Sequence, residues 1–359
     1  MKKLKTQVSK GSQQSPQIEG QRVTIIWKGS NPPQLMGDFT DWERGGRIDL
    51  VRAGKNVWVH EMELPEDAYM EYSFIDGDER IPDPMNPNLT PDGFGHKNNY
   101  FYMPDAAPTD LTRRVPGVAH GTLKTFQVKT WKLIAGNLRR VHLYQPSTPE
   151  ACPILVVWDG REYLRRARLP HLVDNLVHQK RIRPVALAMV ENSQSGRMTE
   201  YSCSDSTLVF LQHIVLPLAQ EELNLLDISS QPGTYGVLGA SMGGLMALYT
   251  GLRLSQIFGH VLSQSGGFTI AEGETVVYEL VRRGDLRAIK IWMDVGIYDF
   301  VSLLAANREM YPLLSSRGYD VTYREYNGGH NYPSWRDDLW RGLEHHFGQP
   351  NSQRSDLPK

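Results

Sequence analysis

The sequence predicts an α/β body preceded by a smaller immunoglobulin-like β-sandwich, and three observations carry that expectation. An apolar run, Tyr235-Gly236-Val237-Leu238, leads into Gly239-Ala240-Ser241-Met242-Gly243 and then into the helix-like Gly244-Leu245-Met246-Ala247-Leu248. Buried-strand runs recur at 153–160, 185–190 and 288–296. The first hundred residues instead hold short alternating strands separated by turn residues, at Val23–Trp27, Pro33–Gly37, Val57–Leu64 and Met70–Asp76. The expected organisation is a sandwich over 21–103, a linker over 104–120 around Pro104-Asp105-Ala106-Ala107-Pro108, and the α/β body over 121–348, with a frayed tail from Gln349.

A serine between two glycines, on a tight turn from strand to helix, projects its hydroxyl above the sheet. Ser241 is therefore the candidate nucleophile, and such a serine needs a base and a group that orients the base. Asp299 follows the strand run Ala288–Gly296, where a strand-end loop should begin, and is the expected acid. Asp294 competes but lies inside the run and would have to be a paired, buried carboxylate. His330 stands just past Gly328-Gly329, after the alternating strand Val321–Tyr326, and is the expected general base. Of the other histidines, His345 and His346 are expected on the surface of a terminal helix, and His120, His142, His171, His178, His213 and His260 have no comparable setting. An oxyanion would be held by the N–H of Met242 and by a second donor near Gly160 and Arg161, at the end of the strand Pro153–Trp158.

Composition limits the alternatives. A chain of 359 residues suggests two domains, 40% hydrophobic content suffices for a sizeable core, and a net charge of −1 leaves no footprint for nucleic acid. The basic N-terminus lacks the apolar centre of a secretory leader, no stretch suggests a membrane span, and a cytoplasmic protein is expected. Cys152 and Cys203 have no metal-ligand spacing and are expected as buried thiols. No metal and no cofactor is expected.

From about Gly121 onward the chain resembles the esterase D-type α/β-hydrolases, and within them the bacterial enterochelin (ferric-siderophore) esterases. The resemblance rests on Val156-Val157-Trp158-Asp159-Gly160, Arg197-Met198-Thr199-Glu200-Tyr201, Gly239-Ala240-Ser241-Met242-Gly243-Gly244, Leu262-Ser263-Gln264-Ser265-Gly266, and Gly328-Gly329-His330 followed by Trp335-Arg336. It implies an α/β-hydrolase fold with Ser241, Asp299 and His330 as its triad. Two positions depart from the pattern: Asn331, where relatives commonly place Asp, and the acid, where some siderophore esterases have Glu.

Gln21 to Met103 resembles the early-set modules related to glycogen-binding domains, through Gly37-Asp38-Phe39-Thr40-Asp41-Trp42, Glu71–Gly77 and Asp83-Pro84-Met85-Asn86-Pro87. Glycan binding is not expected, because Ser73 and Asp78-Glu79-Arg80 occupy platform positions and only Trp42 remains of the aromatic set. A module that docks on the body and walls its cleft is the expectation.

For substrate, Arg161, Arg165, Arg166 and Arg168 form a cationic run that suits an anionic ferric catecholate or else a solvated helix face. Arg197 is expected to contact substrate, or to pair with Glu200; Trp335 is expected to line the pocket, or to pack the loop. The expected partner is a small-molecule ester, a ferric siderophore foremost, opened through an acyl-serine intermediate. The rival keeps the mechanism on feruloyl or acetyl esters of plant polysaccharide, and absence of a leader counts against it. S-formylglutathione hydrolases are disfavoured because they lack the sandwich. A reading of another class is a non-catalytic glycan- or partner-binding protein on the same fold.

Overall fold

The computed structural model describes residues 14–42, 44–93, 95–271 and 273–349. The basic N-terminal ten residues and nearly all of the tail expected to fray lie outside the described residues. The described chain divides into two compact units. The first runs to Pro108 and also takes in Gly296–Val301 and Tyr326–Ser334, segments that the sequence alone assigns to the α/β body; the second holds the remainder.

The first unit is a sandwich. Strands β1 (Gln17–Glu19), β2 (Arg22–Lys28), β3 (Gln34–Gly37), β4 (Ile48–Asp49), β5 (Val51–Gly54), β6 (Val57–Glu63), β7 (Tyr69–Asp76), β8 (Glu79–Ile81), β9 (Leu89–Pro91) and β10 (Lys97–Tyr102) make two sheets, in the orders β1-β2-β6-β5 and β4-β3-β7-β10-β9, with β8 on β7. Inward residues of both sheets, among them Val23, Ile25, Leu35, Tyr72, Phe74 and Phe101, form its core. Trp27 and Trp58 pack against that core, as does Tyr298.

The second unit is carried by an eight-stranded sheet of order β11-β12-β14-β13-β15-β16-β19-β20. Its elements run β11 (Thr122–Lys129), β12 (Leu138–Gln145), β13 (Ile154–Trp158), α1 (Gly160–Arg165), α2 (Leu169–His178), β14 (Ala186–Val190), α3 (Arg197–Tyr201), α4 (Asp205–Phe210), a π-turn (Leu211–Val215), α5 (Leu216–Glu222), β15 (Tyr235–Ala240), α6 (Met242–Arg253), β16 (Phe258–Gln264), a small hairpin β17 (Thr269–Ile270) and β18 (Gly273–Glu274), α7 (Val276–Arg283), β19 (Lys290–Tyr298), α8 (Val301–Ser316), β20 (Asp320–Gly329) and α9 (Tyr332–Phe347). Neighbours from β14 through β13, β15 and β16 to β19 are parallel, and β11 and β12 are antiparallel. β13, β14 and β15 are buried at every residue, which explains their unbroken apolar runs. The architecture is that of an α/β-hydrolase with an N-terminal β-rich domain. Both cysteines are free, Cys152 buried and Cys203 half-buried. No helix among the described residues is long and apolar enough to cross a membrane.

His346 corrects an expectation. It is buried, donating from Nε2 to the Val261 carbonyl at 3.0 Å, with its Nδ1 3.1 Å from His260 Nδ1. The reason is that α9 turns this face inward onto β16. Burial holds His346 well below the ordinary imidazole range and pushes His260 down to about 4, with Arg183, Lys290 and His345 adding to one or both effects. An unfolded chain binds these protons near pH 6.5 and the folded one does not, so the stabilisation is present above that pH and is lost as pH falls toward 4. Urea unfolding across this window should show a loss on the order of 3 kcal/mol from His260 alone, and His260→Gln should flatten the profile. An unchanged slope in that variant would contradict the assignment.

Candidate active site

β15 builds the seat of the candidate nucleophile. It ends in Ser241 at φ 58° and ψ −122°, a region that costs about 1–3 kcal/mol and persists only when its surroundings enforce it. They do so from three sides. The Ser241 N–H donates to Gln264 O at 2.8 Å, and its carbonyl accepts from Gly267 N at 2.9 Å and Leu245 N at 3.1 Å. The turn leaves no room for a side chain at Gly239, where a Cβ would lie 2.2 Å from the Gly243 carbonyl oxygen. α6 begins at the next residue, so the Met242 N–H is one of the helical donors with no partner inside its helix.

β13 runs parallel to β15 with Val157 opposite Leu238. β13 ends at Trp158, and Asp159, in the left-handed region at φ 57° and ψ 41°, turns the chain directly into α1. Gly160 and Arg161 open α1, so their N–H groups are also first-turn donors. A Cβ on Gly160 would lie 2.3 Å from the Met189 carbonyl carbon, so only glycine allows α1 to start so close to β14.

Arg197 is a brace. Its guanidinium grips Asp159 with two hydrogen bonds of 2.8 and 2.6 Å and reaches the Ala240 carbonyl at 3.4 Å. Asp159 is buried while the Arg197 side chain keeps 26% exposure. The alternative pairing with Glu200 is not formed, because Glu200 is held in a buried fork by Arg139 at 2.7 and 2.8 Å. Trp335, expected at the pocket, is 4% exposed and donates its indole N–H to Ser265 Oγ at 2.9 Å; it packs behind the elbow. Arg161, Arg165 and Arg168 are exposed, and Arg166 pairs with Glu162 at 3.6 Å.

The acid and base candidates belong to the first unit. β19 continues to Tyr298 and β20 to Gly329, so Asp299 and His330 each follow a strand directly. His330 Nδ1 lies 2.8 Å from Asp299 Oδ1, which also accepts the Phe300 N–H at 2.6 Å. A carboxylate only accepts, so this contact fixes the proton on Nδ1 and leaves Nε2 as the basic nitrogen. Phe300 stacks on the imidazole at 4.6 Å, and the Arg44 guanidinium lies over the Phe300 ring at 3.9 Å. The preceding glycines are sterically required: a Cβ on Gly296 would lie 2.0 Å from the Gly328 carbonyl oxygen, and one on Gly329 would lie 2.2 Å from the Asp38 carboxyl. Asp294 is fully buried, accepts from Trp292 Nε1 at 2.8 Å and is pushed up to about 8 by burial and then by Asp338.

Sequence reasoning missed Asp159, Phe300 and Asp38 as neighbours of these groups, since each is brought in by tertiary contact. For a metal, His120, His171 and Asp174 could offer three ligand atoms within 4.8 Å of one another. The Asp174 carboxylate is already taken by His120 and Tyr144, and burial, helped by His120, Arg114 and Arg168 against an opposing Asp174, holds the His171 imidazole below its usual range.

Residues 134–346 match the family Esterase, described as "Putative esterase". The iron(III) enterobactin esterase of Escherichia coli O6:H1 is 27% identical over 272 residues, covering 73% of this chain and 66% of that protein. The chain thus spans just under two thirds of that curated relative. The crystal structure of the ferric enterobactin esterase from Salmonella typhimurium superposes with a TM-score of 0.77 at 25% identity, covering 90% of this chain and 93% of its own. An enterobactin esterase from Shigella flexneri, crystallised in the presence of enterobactin, shares the fold with a TM-score of 0.73 at 23% identity, over 90% of this chain and 92% of its own. With more than half of its length matched by the family, this chain belongs to the Esterase family.

Proposed function

We propose that the protein is a serine carboxylic-ester hydrolase that opens the trilactone of a catecholate siderophore. The observation that carries the hydrolase reading is the enforced conformation of Ser241 at the β15–α6 elbow, φ 58° and ψ −122°. In this reading Ser241 Oγ attacks a lactone carbonyl while His330 Nε2 takes its proton, and Asp299 stabilises the imidazolium. The N–H groups of Met242 and of Gly160 or Arg161 receive the oxyanion. Collapse expels the alkoxide, protonated by His330, and leaves an acyl-serine; water activated by the same nitrogen then releases the acid. No metal takes part, and iron arrives with the substrate.

The siderophore assignment is supported by relatives named for enterobactin and by a structural match over 90% of this chain, more than the α/β body alone supplies. Exposed Arg161, Arg165 and Arg168 suit a polyanionic ferric catecholate. Against a polysaccharide substrate, Trp42 makes a poor sugar platform: its indole N–H donates to Asp38 at 2.8 Å and Arg80 lies over its ring at 5.2 Å.

Purified wild type should release dihydroxybenzoyl-serine from ferric and iron-free enterobactin, and Ser241→Ala should lower kcat by about 10⁴-fold or more. Efficient cleavage of methyl ferulate without trilactone opening would transfer the enzyme to the polysaccharide esters. Asp299→Asn should retain the wild-type unfolding midpoint within a few degrees while losing about 10³- to 10⁴-fold in kcat, because the amide favours the wrong imidazole tautomer. A loss under tenfold would assign the acid elsewhere.

A further inference from the structure

We propose that Asp38, a residue of the β-sandwich, is a positioning residue for His330, acting through the two residues that flank the histidine; the inference rests on the hydrolase reading above. Asp38 follows β3 and is 4% exposed. Its Oδ1 accepts from Trp42 Nε1 at 2.8 Å, and its Oδ2 accepts from the Glu71 N–H at 2.8 Å and from Asn331 Nδ2 at 3.3 Å. On the other side of His330 the carboxyl lies against the Gly329 backbone, in the space that a Cβ would fill. One buried carboxyl therefore touches residues 329 and 331 together, and the backbone it clamps sets the direction in which the imidazole leaves the chain.

Asn331 is the informative member. Its Oδ1 accepts the Ser334 N–H at 3.0 Å and so caps α9, while its Nδ2 donates to Asp38. An aspartate could perform the first task but not the second, and would set a second carboxylate against Asp38. The surroundings are already acidic: Glu71 lies beside Asp38, with its own oxygens taken by Tyr69 O–H at 3.1 Å and Asn98 Nδ2 at 2.9 Å. Burial and the Glu71 carboxylate both raise the Asp38 carboxyl above its usual range, opposed by the donors on it. Each donated hydrogen bond matters more for that reason. Asp299 orients the ring within its plane through Nδ1; Asp38 fixes where the ring is attached.

The test is a rescue in the full-length protein, read as kcat and KM on the siderophore ester, with Ser241→Ala as control. Asn331→Asp should lower kcat at least tenfold with KM within about twofold. Adding Asp38→Asn should raise kcat at least about threefold above Asn331→Asp, because it removes the facing carboxylate; recovery stays partial, since the amide nitrogen turned toward residue 331 also meets the Glu71 N–H. An Asn331→Asp enzyme as fast as wild type, or a double variant no faster than Asn331→Asp, overturns the proposal. If Asn331→Asp does not fold, the cycle of Asp38→Ala and Asn331→Ala replaces it: losses in log kcat that fall short of additive by tenfold or more support the clamp, and additive losses refute it. The control separates the two readings. Wild type and Ser241→Ala turning over alike would end the hydrolase reading itself, whereas a serine-dependent wild type with no rescue would end only this inference.

Discussion

The backbone of Ser241 is the constraint around which the end of the eight-stranded sheet is organised. Left alone, a serine at φ 58° and ψ −122° would relax. It is held because β16 supplies an acceptor for its N–H from Gln264, and because the chain just beyond β16 returns Gly267 N to its carbonyl. Gln264 extends the restraint through its side chain. Its Oε1 accepts from Tyr163 O–H at 2.9 Å, and its Nε2 donates to the Trp335 carbonyl at 3.1 Å. One glutamine thus links the elbow to the helix that opens at Gly160 and to the helix capped by Asn331.

Charge is used in the same region for geometry more than for stability. The Asp159–Arg197 and Arg139–Glu200 pairs are buried or nearly so, and such pairs return little net energy relative to apolar packing. They do specify where the ends of β13 and α3 must lie, since a displaced partner would leave a desolvated charge alone. Asp294 takes the other solution, with burial favouring its neutral form.

Legibility in the sequence followed the range of the interactions. Ser241 and Gly239 could be read because their turn is local and admits few residue types, whereas the need for Gly329 comes from the distant Asp38. Strand interiors were legible for a similar reason, as a strand buried on both faces has nothing polar to show. The partner of Arg197 was not, because Asp159 lies 38 residues away and only the register of parallel strands makes them neighbours. His346 was misread as a surface residue, since only the tertiary packing of α9 onto β16 shows which of its faces turns inward. α9 begins at Tyr332, with Pro333 in its first turn, where its missing N–H is harmless.

The edge of the large sheet carries a different consequence. β11 is its outermost N-terminal strand, mostly exposed, and bears Lys124 and Lys129; at the other margin Glu325 of β20 is forked by Arg308 at 2.7 Å. A sheet assembled from distant segments closes slowly, and until it closes its margins are open templates for other chains. Ionic side chains on both outer strands make that adhesion unfavourable at the stage when the protein is most exposed to it. Charges far from the candidate site thus protect the yield of folded protein.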